Sequence, residues 1–127
     1  GELSVEDLVE QPVILREPGS GTVVTLNREL AYFDMSTEML RTCLTLWNTE
    51  AIVQAVCEGL APAFVSQTAA AIALRDELIV EVPVKGLRPI QRLYMARNRG
   101  YRASKAQAGF WDFTFAPENE HLRRLIV

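Results

Sequence analysis

The chain has 127 residues, of which 49% are hydrophobic and 23% charged, and its net charge is −3. That is enough chain for one domain and not two, of ordinary globular composition, and the acidic balance argues against holding nucleic acid through its phosphates. No apolar run approaches the roughly 20 residues that cross a bilayer, and the acidic start Gly1-Glu2-Leu3-Ser4-Val5-Glu6-Asp7 is unlike a signal peptide. Gly1 in place of Met fits a processed or partial chain. Cys43 and Cys57 fit a reducing cytoplasm and read as two small buried side chains, not a disulfide.

Ser4 followed by Asp7 reads as a helix cap with an acid in the first turn, which places a short helix at 5–10 that Pro12 ends. Val13-Ile14-Leu15 is a short buried strand. Glu17-Pro18-Gly19-Ser20-Gly21-Thr22 is a loop, since these residues do not continue a strand. Val23, Leu26, Leu30 and Phe33 recur at helical spacing and predict a helix over 22–33, capped near Ser20 or Thr22. Residues 34–37 form a turn and 40–46 a strand.

Residues 47–66, WNTEAIVQAVCEGLAPAFVS, are the most informative stretch. A polar step at Asn48 and Thr49 follows an apolar run ending at Trp47. An amphipathic helix then carries Ile52, Val53, Val56 and Cys57, Gly59 stops it, and a second apolar run covers 61–65. Strand, helix, tight turn and strand make a βαβ unit, whose helix N-terminus suits an anionic ligand.

Ser66 caps an Ala-rich helix over 67–74. Residues 78–84 and 90–96 read as strands, with Gly86 and Asn98-Arg99-Gly100 turning the chain after each. Ser104 caps a last helix over 105–115, which carries Phe110, Trp111, Phe113 and Phe115. Those rings need a core within this chain or a partner surface. Pro117 stops the helix, and 118–127 is a polar tail. Strands alternating with helices predict an α/β architecture with a parallel sheet.

Backbone N–H groups at Ser20, Gly21 and Thr22, with the two hydroxyls, suit a carboxylate or phosphate, although the same pattern serves an ordinary capped loop. It is neither a Walker A loop nor a dinucleotide fingerprint. Asn48 and Thr49 start a second helix beside the flat wall of Trp47. Two such loops of one sheet open at the carboxyl ends of its strands, where α/β sheets bind ligands. Nothing points to catalysis or a metal. There is no G-x-S-x-G elbow, and His121 lies in the tail, away from Ser20, Ser66 and both cysteines. Glu50 and Glu58 are not spaced as an acid–base pair. Arg88, Arg92, Arg97, Arg99 and Arg102 read as solvated or domain-contact charges.

Four runs in register carry a family resemblance: REPGSGT at 16–22, WNTEAIVQAVCEGLAPAFVS at 47–66, LIVEVPVKGLRPIQRLYMARNRG at 78–100 and SKAQAGFWDF at 104–113. Over residues 3–115 the chain resembles the effector-binding domain of LysR-type transcriptional regulators. The resemblance implies a Rossmann-like lobe of a periplasmic-binding-protein-like two-lobe domain, with the returning strand and helix of the other lobe. Residues 1–85 correspond to the second lobe. Residues 86–127 correspond to the crossover strand, C-terminal helix and tail that complete the first.

The implied protein is a cytoplasmic sensor with no enzyme activity, cofactor, metal or membrane attachment. It binds a small, anionic effector, pairs as a homodimer, and reaches DNA only through an N-terminal winged helix-turn-helix outside this chain. By position, Ser20, Gly21, Thr22, Trp47, Asn48, Thr49, Phe64 and Ser66 face the effector cleft. Arg16 and Glu17 match the start of the same loop as Ser20. One departure is Ala61-Pro62, where the family usually has glycine and an aliphatic residue; it stiffens the turn before Phe64. Residues 90–96 and 105–115 are expected to pair with another copy or to fold back over the exposed edge. A stand-alone periplasmic-type solute-binding module is the first alternative, and it requires a secretory signal; an α/β enzyme fragment is the second.

Overall fold

Val13, Ile14 and Leu15 are all buried, so strand β1 (Pro12–Arg16) offers no face to water. The structure, a computed structural model, describes residues 1–124. Side chains alternate along a strand, so a fully covered strand needs a core on each side. Val13 and Leu15 pack with Val5, Leu8, Leu26, Leu30, Leu40 and Leu87, while Ile14 packs with Ile52, Ala55 and Ala61. Helices α1 (Val5–Glu10) and α2 (Gly21–Leu30) supply the first cluster, and α3 (Thr49–Cys57) the second. No buried polar side-chain atom among the described residues lacks a partner.

Strand β2 (Arg41–Leu46) runs parallel to β1, with Pro12 opposite Arg41 and Arg16 opposite Leu46. The register slips once, because Val13 pairs with Thr42 and Ile14 with Leu44. Cys43 is the extra residue of that bulge, and its thiol donates to the Val13 carbonyl at 3.4 Å. On the other edge of β1, the Ile14 N–H donates to the Pro62 carbonyl at 2.9 Å, and Ile14 forms a parallel bridge with Ala63. The α/β expectation thus holds in a small parallel sheet.

Side chains start the helices where the sequence places them. Ser4 and Asp7 form a capping box on α1, and Ser104 and Gln107 form another on α5 (Lys105–Phe115). Ser20, Asn48 and Ser66 each accept a hydrogen bond from the residue three positions on, at the starts of α2, α3 and α4 (Gln67–Arg75).

Several expectations need correction. The helix expected over 22–33 begins at Gly21 and ends at Leu30, followed by a 3₁₀ turn over Ala31–Phe33. Asp34, at φ 56°, takes the left-handed conformation there, and the Thr37 N–H donates to Asn27 Oδ1 at 2.7 Å. The strands expected at 61–65, 78–84 and 90–96 are absent. The first keeps only its bridge to β1. The second keeps a bridge between Val84 and Leu3, with Leu3 N–H on the Pro83 carbonyl and Lys85 N–H on that of Leu3. Pro62, Pro83 and Pro89 interrupt these segments with residues that cannot donate to a ladder. Apolar alternation does not supply the neighbouring strand that a ladder needs. Cys43 is exposed and Cys57 half-buried, so neither is the buried small side chain expected.

The chain divides into two compact units, Gly1–Gln91 and Arg92–Val127. In the second, α5 is followed by a 3₁₀ helix over Pro117–Arg124, in the stretch that the sequence marks only as a polar tail; residues 125–127 of that tail lie outside the described residues. The Trp111 and Phe115 rings lie 4.7 Å apart, and the Arg123 guanidinium sits 5.5 Å from the Phe115 ring. Arg123 Nη1 also donates to the Thr114 carbonyl at 2.5 Å, and Asn119 Nδ2 to that of Phe113 at 2.7 Å. Phe110 and Phe113 stay exposed, so the aromatic end is only partly covered by its own tail. No described helix is long and apolar enough to cross a membrane.

Truncating Ile14, which is completely buried, removes the contact between β1 and α3. Ile14→Ala is expected to cost about 2–5 kcal/mol, and Val24→Ala, at an exposed position of α2, less than about 0.5 kcal/mol. Urea unfolding of the two variants checks both values.

Candidate functional site

Adjacent parallel strands end on the same side, so the loops after β1 and β2 open at one edge of the sheet. The Ile14–Ala63 bridge is also parallel and sends the chain toward Ser66 in the same direction. Helices α2, α3 and α4 each begin just beyond that edge. Neither α2 nor α4 has an acidic residue in its first turn, while α3 has Glu50. The positive ends of α2 and α4 are therefore not neutralised from within their own first turns.

One side chain fastens two of these loops together. Arg16, the last residue of β1, donates through Nε and Nη2 to the two Glu17 carboxylate oxygens, both at 2.8 Å. Its Nη1 donates to Thr49 Oγ1 at 2.6 Å, at the first residue of α3. Both members of the ion pair are largely shielded, with side-chain exposures of 20% and 16%. A two-pronged guanidinium–carboxylate pair is geometrically strict, so Arg16 is held in the plane that reaches Thr49. The hydrogen bond from Arg16 holds the Glu17 carboxyl below the usual carboxylate range, and the same bond pushes the guanidinium's pKa up.

The eight residues singled out from the sequence fall into distinct roles. Ser20, Asn48 and Ser66 are helix caps whose acceptors are occupied by backbone N–H groups at 3.2, 3.0 and 3.2 Å. Thr22 lies half-buried in the first turn of α2, and Gly21 opens that helix beneath the side-chain amide of Gln91, which a Cβ there would displace. Trp47 is 76% exposed at the end of β2, next to the Asn48 cap. Thr49 is tied to Arg16.

Phe64 is placed differently. It packs on the α1–α2 core and lines a mostly apolar hollow of about 310 Å³ that none of the other seven residues lines. Val53, Val56, Leu74 and Val82 share that hollow.

Two contributors escaped the residue-by-residue reading. The role of Arg16 as a tie to Thr49 spans 33 residues, and its only local sign is a charged residue ending an apolar strand. Gln91 comes from a segment read as strand, and no local pattern announces that its amide lies over α2. The neighbouring Ile90 carbonyl accepts from Arg28 Nη2 at 3.0 Å, which anchors this segment on the same helix. Among the described residues no cluster of His, Cys, Asp and Glu is arranged to hold a metal ion. The site's chemistry is that of helix-terminal N–H groups, hydroxyls and an aromatic wall.

The Glu17 ionisation gives a pH test. Its pKa is lower folded than unfolded, so the pair adds stability above the unfolded value of about 4.3. That contribution is lost as the pH falls through the folded value. Wild type is expected to melt above Glu17→Gln at pH 7, and the gap to close as the pH falls below the unfolded value and through the lower folded one. Thermal melts of both proteins across that range check the sign.

Residues 1–116 match the family model described as the LysR substrate binding domain. Over 113 residues the chain is 32% identical to an HTH-type transcriptional regulator of Methanocaldococcus jannaschii, covering 89% of this chain and 38% of that protein. It is 29% identical over 114 residues to the RuBisCO operon transcriptional regulator of Allochromatium vinosum, covering 90% and 37%. It is 28% identical over 107 residues to the HTH-type transcriptional regulator CbbR of Xanthobacter flavus, covering 84% and 32%. The chain thus spans less than two fifths of the length of each of these relatives.

Proposed function

Because the chain belongs to the LysR substrate binding domain family, we propose that it is the effector-sensing part of a LysR-type transcriptional regulator. In this reading it binds a small anionic molecule and performs no catalysis. The observation that carries it is the single sheet edge where the loops after β1 and β2 meet, joined by the Arg16–Thr49 hydrogen bond. An anion at that edge meets the N-terminal N–H groups of α2 or α3, the Thr22 hydroxyl and the indole of Trp47. Arg16 is neutralised by Glu17, so the helix ends supply the attraction, and they favour a compact oxyanion over an uncharged ligand.

The remaining elements of the proposal follow from family membership. Residues 1–85 form one lobe of a two-lobe domain, and 86–127 supply the crossover and the last helix of the other. DNA is contacted by a helix-turn-helix segment outside this chain, in the cytoplasm, and two copies act together. The effector works by binding one arrangement of the lobes more tightly than another, since only differential affinity shifts such an equilibrium.

A thermal-shift screen against small carboxylates, amino acids and phosphorylated metabolites tests the site. Thr22→Val/Trp47→Ala serves as the comparison, because it removes the hydroxyl and the aromatic wall without touching a helix cap. A true effector at a hundredfold over its Kd is expected to stabilise the wild type by about 2.7 kcal/mol and the double variant far less. Equal shifts in both proteins, or none across the panel, would remove the support for this site. Sedimentation equilibrium checks the pairing: a dimer is expected, and a strict monomer at high concentration contradicts it.

A further inference from the structure

Glu17 is held from two directions. Its carbonyl accepts from the Ser20 N–H at 3.2 Å, closing a tight turn whose central residues are Pro18 and Gly19, the latter at φ 87°. Proline presets its own φ and glycine supplies the positive one, so the turn fixes Glu17 three residues ahead of the α2 cap. Its carboxylate takes both prongs of the Arg16 guanidinium, Nε and Nη2, at 2.8 Å, while Nη1 stays on Thr49. The Arg16 fork is therefore occupied, and its third nitrogen is committed to α3. Both partners of the ion pair are largely shielded from water.

Charge at this edge is thereby limited. Helices α2, α3 and α4 each present about half a positive charge at their N-termini. Across the segments that form the edge, residues 16–24, 46–52 and 63–70, the charged side chains are Arg16, Glu17 and Glu50. That is one cation against two anions, so the helix ends exceed the side-chain deficit by only a fraction of a charge. Such a balance suits a ligand carrying a single negative charge. A second charge on the ligand leaves water without a cation to meet it. With the Glu17 charge gone, the Arg16 fork stands open, still positioned by Thr49, and its geometry matches a phosphate.

We propose that Glu17 sets the charge selectivity of the sheet-edge site: by occupying the Arg16 fork it restricts the effector to a singly charged oxyanion and discriminates against a phosphate dianion of the same shape. This rests on the effector site proposed above and adds a ligand class to it. A brace alone requires only that Arg16 and Thr49 stay joined. Selection by charge requires in addition an ionised Glu17 on the fork. The hydrogen bond from Arg16 holds that carboxyl below the usual carboxylate range, which keeps it ionised at neutral pH.

Phenyl sulfate and phenyl phosphate are close in shape and differ by one charge at about pH 7.5, where the phosphate is a dianion. Each is titrated into the 127-residue chain and followed through the indole N–H signal of Trp47 in ¹H–¹⁵N spectra, with Trp47→Phe assigning the signal. The wild type is expected to bind phenyl sulfate at least as tightly as phenyl phosphate. In Glu17→Gln the order is expected to reverse, with phenyl phosphate gaining about tenfold. In Arg16→Gln/Glu17→Gln that gain is expected to vanish, because the open fork produces it and the lost repulsion does not. Far-UV spectra establish that each variant is folded at the temperature of the titration.

A wild type that prefers phenyl phosphate overturns the proposal without any variant having to fold. So does an unchanged preference in Glu17→Gln, or a gain that persists in the double variant. In each of those outcomes the ligands still bind beside Trp47, and the sheet-edge site stands. A Trp47 signal that neither ligand moves at about 10 mM, in any of these proteins, removes the site itself and the selectivity with it.

Discussion

Three consecutive residues of β1 answer to two cores at once, and that double burial dictates where the neighbouring elements of residues 1–91 can lie. Val13 and Leu15 need helices on one face, and Ile14 needs a helix on the other. The chain meets both demands by alternating strand and helix, with α2 returning over one face and α3 over the other. Hydrogen bonding makes the same demand sideways, and β2 and Ala63 take up the two edges of β1. The direction shared by all three segments brings the starts of α2, α3 and α4 to one edge. The candidate site is therefore a by-product of burying a five-residue strand.

Within that edge the strongest polar interaction is inward-looking. Arg16 spends its donors on Glu17 and Thr49, so the most conspicuous cation of the site acts as a brace. Bracing fixes the distance between the end of β1 and the first residue of α3, and it neutralises the one side-chain cation beside those two helix ends. The field left at the edge comes from aligned peptide dipoles, which fades within a turn of helix. A site of this kind discriminates by closeness and shape more than by total charge. The exposed indole of Trp47 is suited to that task.

Local rules carried the helices well. The Ser4–Asp7 pair could be read as a cap with its acid, and Ser104 as a cap, because a cap is a contact within one turn; the Gln107 half of the second box was not read. The bounds of α5 followed from Ser104 and Pro117, and the start of α3 from Asn48. The sheet was less legible, since a strand exists only in company. Residues 78–84 have the alternation of a strand and pair through Val84 alone. The extra residue at Cys43 has no signature in the sequence, and its exposure follows from a register that β1 imposes from 30 residues away. The same holds for the site: Ser66 was visible as a cap, Ser20 as one of two candidates with Thr22 and Asn48 as a helix start, whereas the Gln91 amide over Gly21 depends on a contact seventy positions apart. Phe64 was assigned by its position in the resembled family, and position in a family does not say which core a ring will join in this chain.

The bulge at Cys43 also bears on how this sequence can change length. In a pleated strand, dropping one residue turns every later side chain to the opposite face. Residues lost from most of β2 would rotate Trp47 and Asn48 away from the sheet edge and detach Thr49 from Arg16. Cys43 is the exception, because Thr42 and Leu44 already face successive residues of β1. Removing it converts the irregular ladder into a regular one and leaves each remaining pair in place. The strand thus contains one position where a deletion is silent in register, flanked by positions where the same deletion dismantles the site.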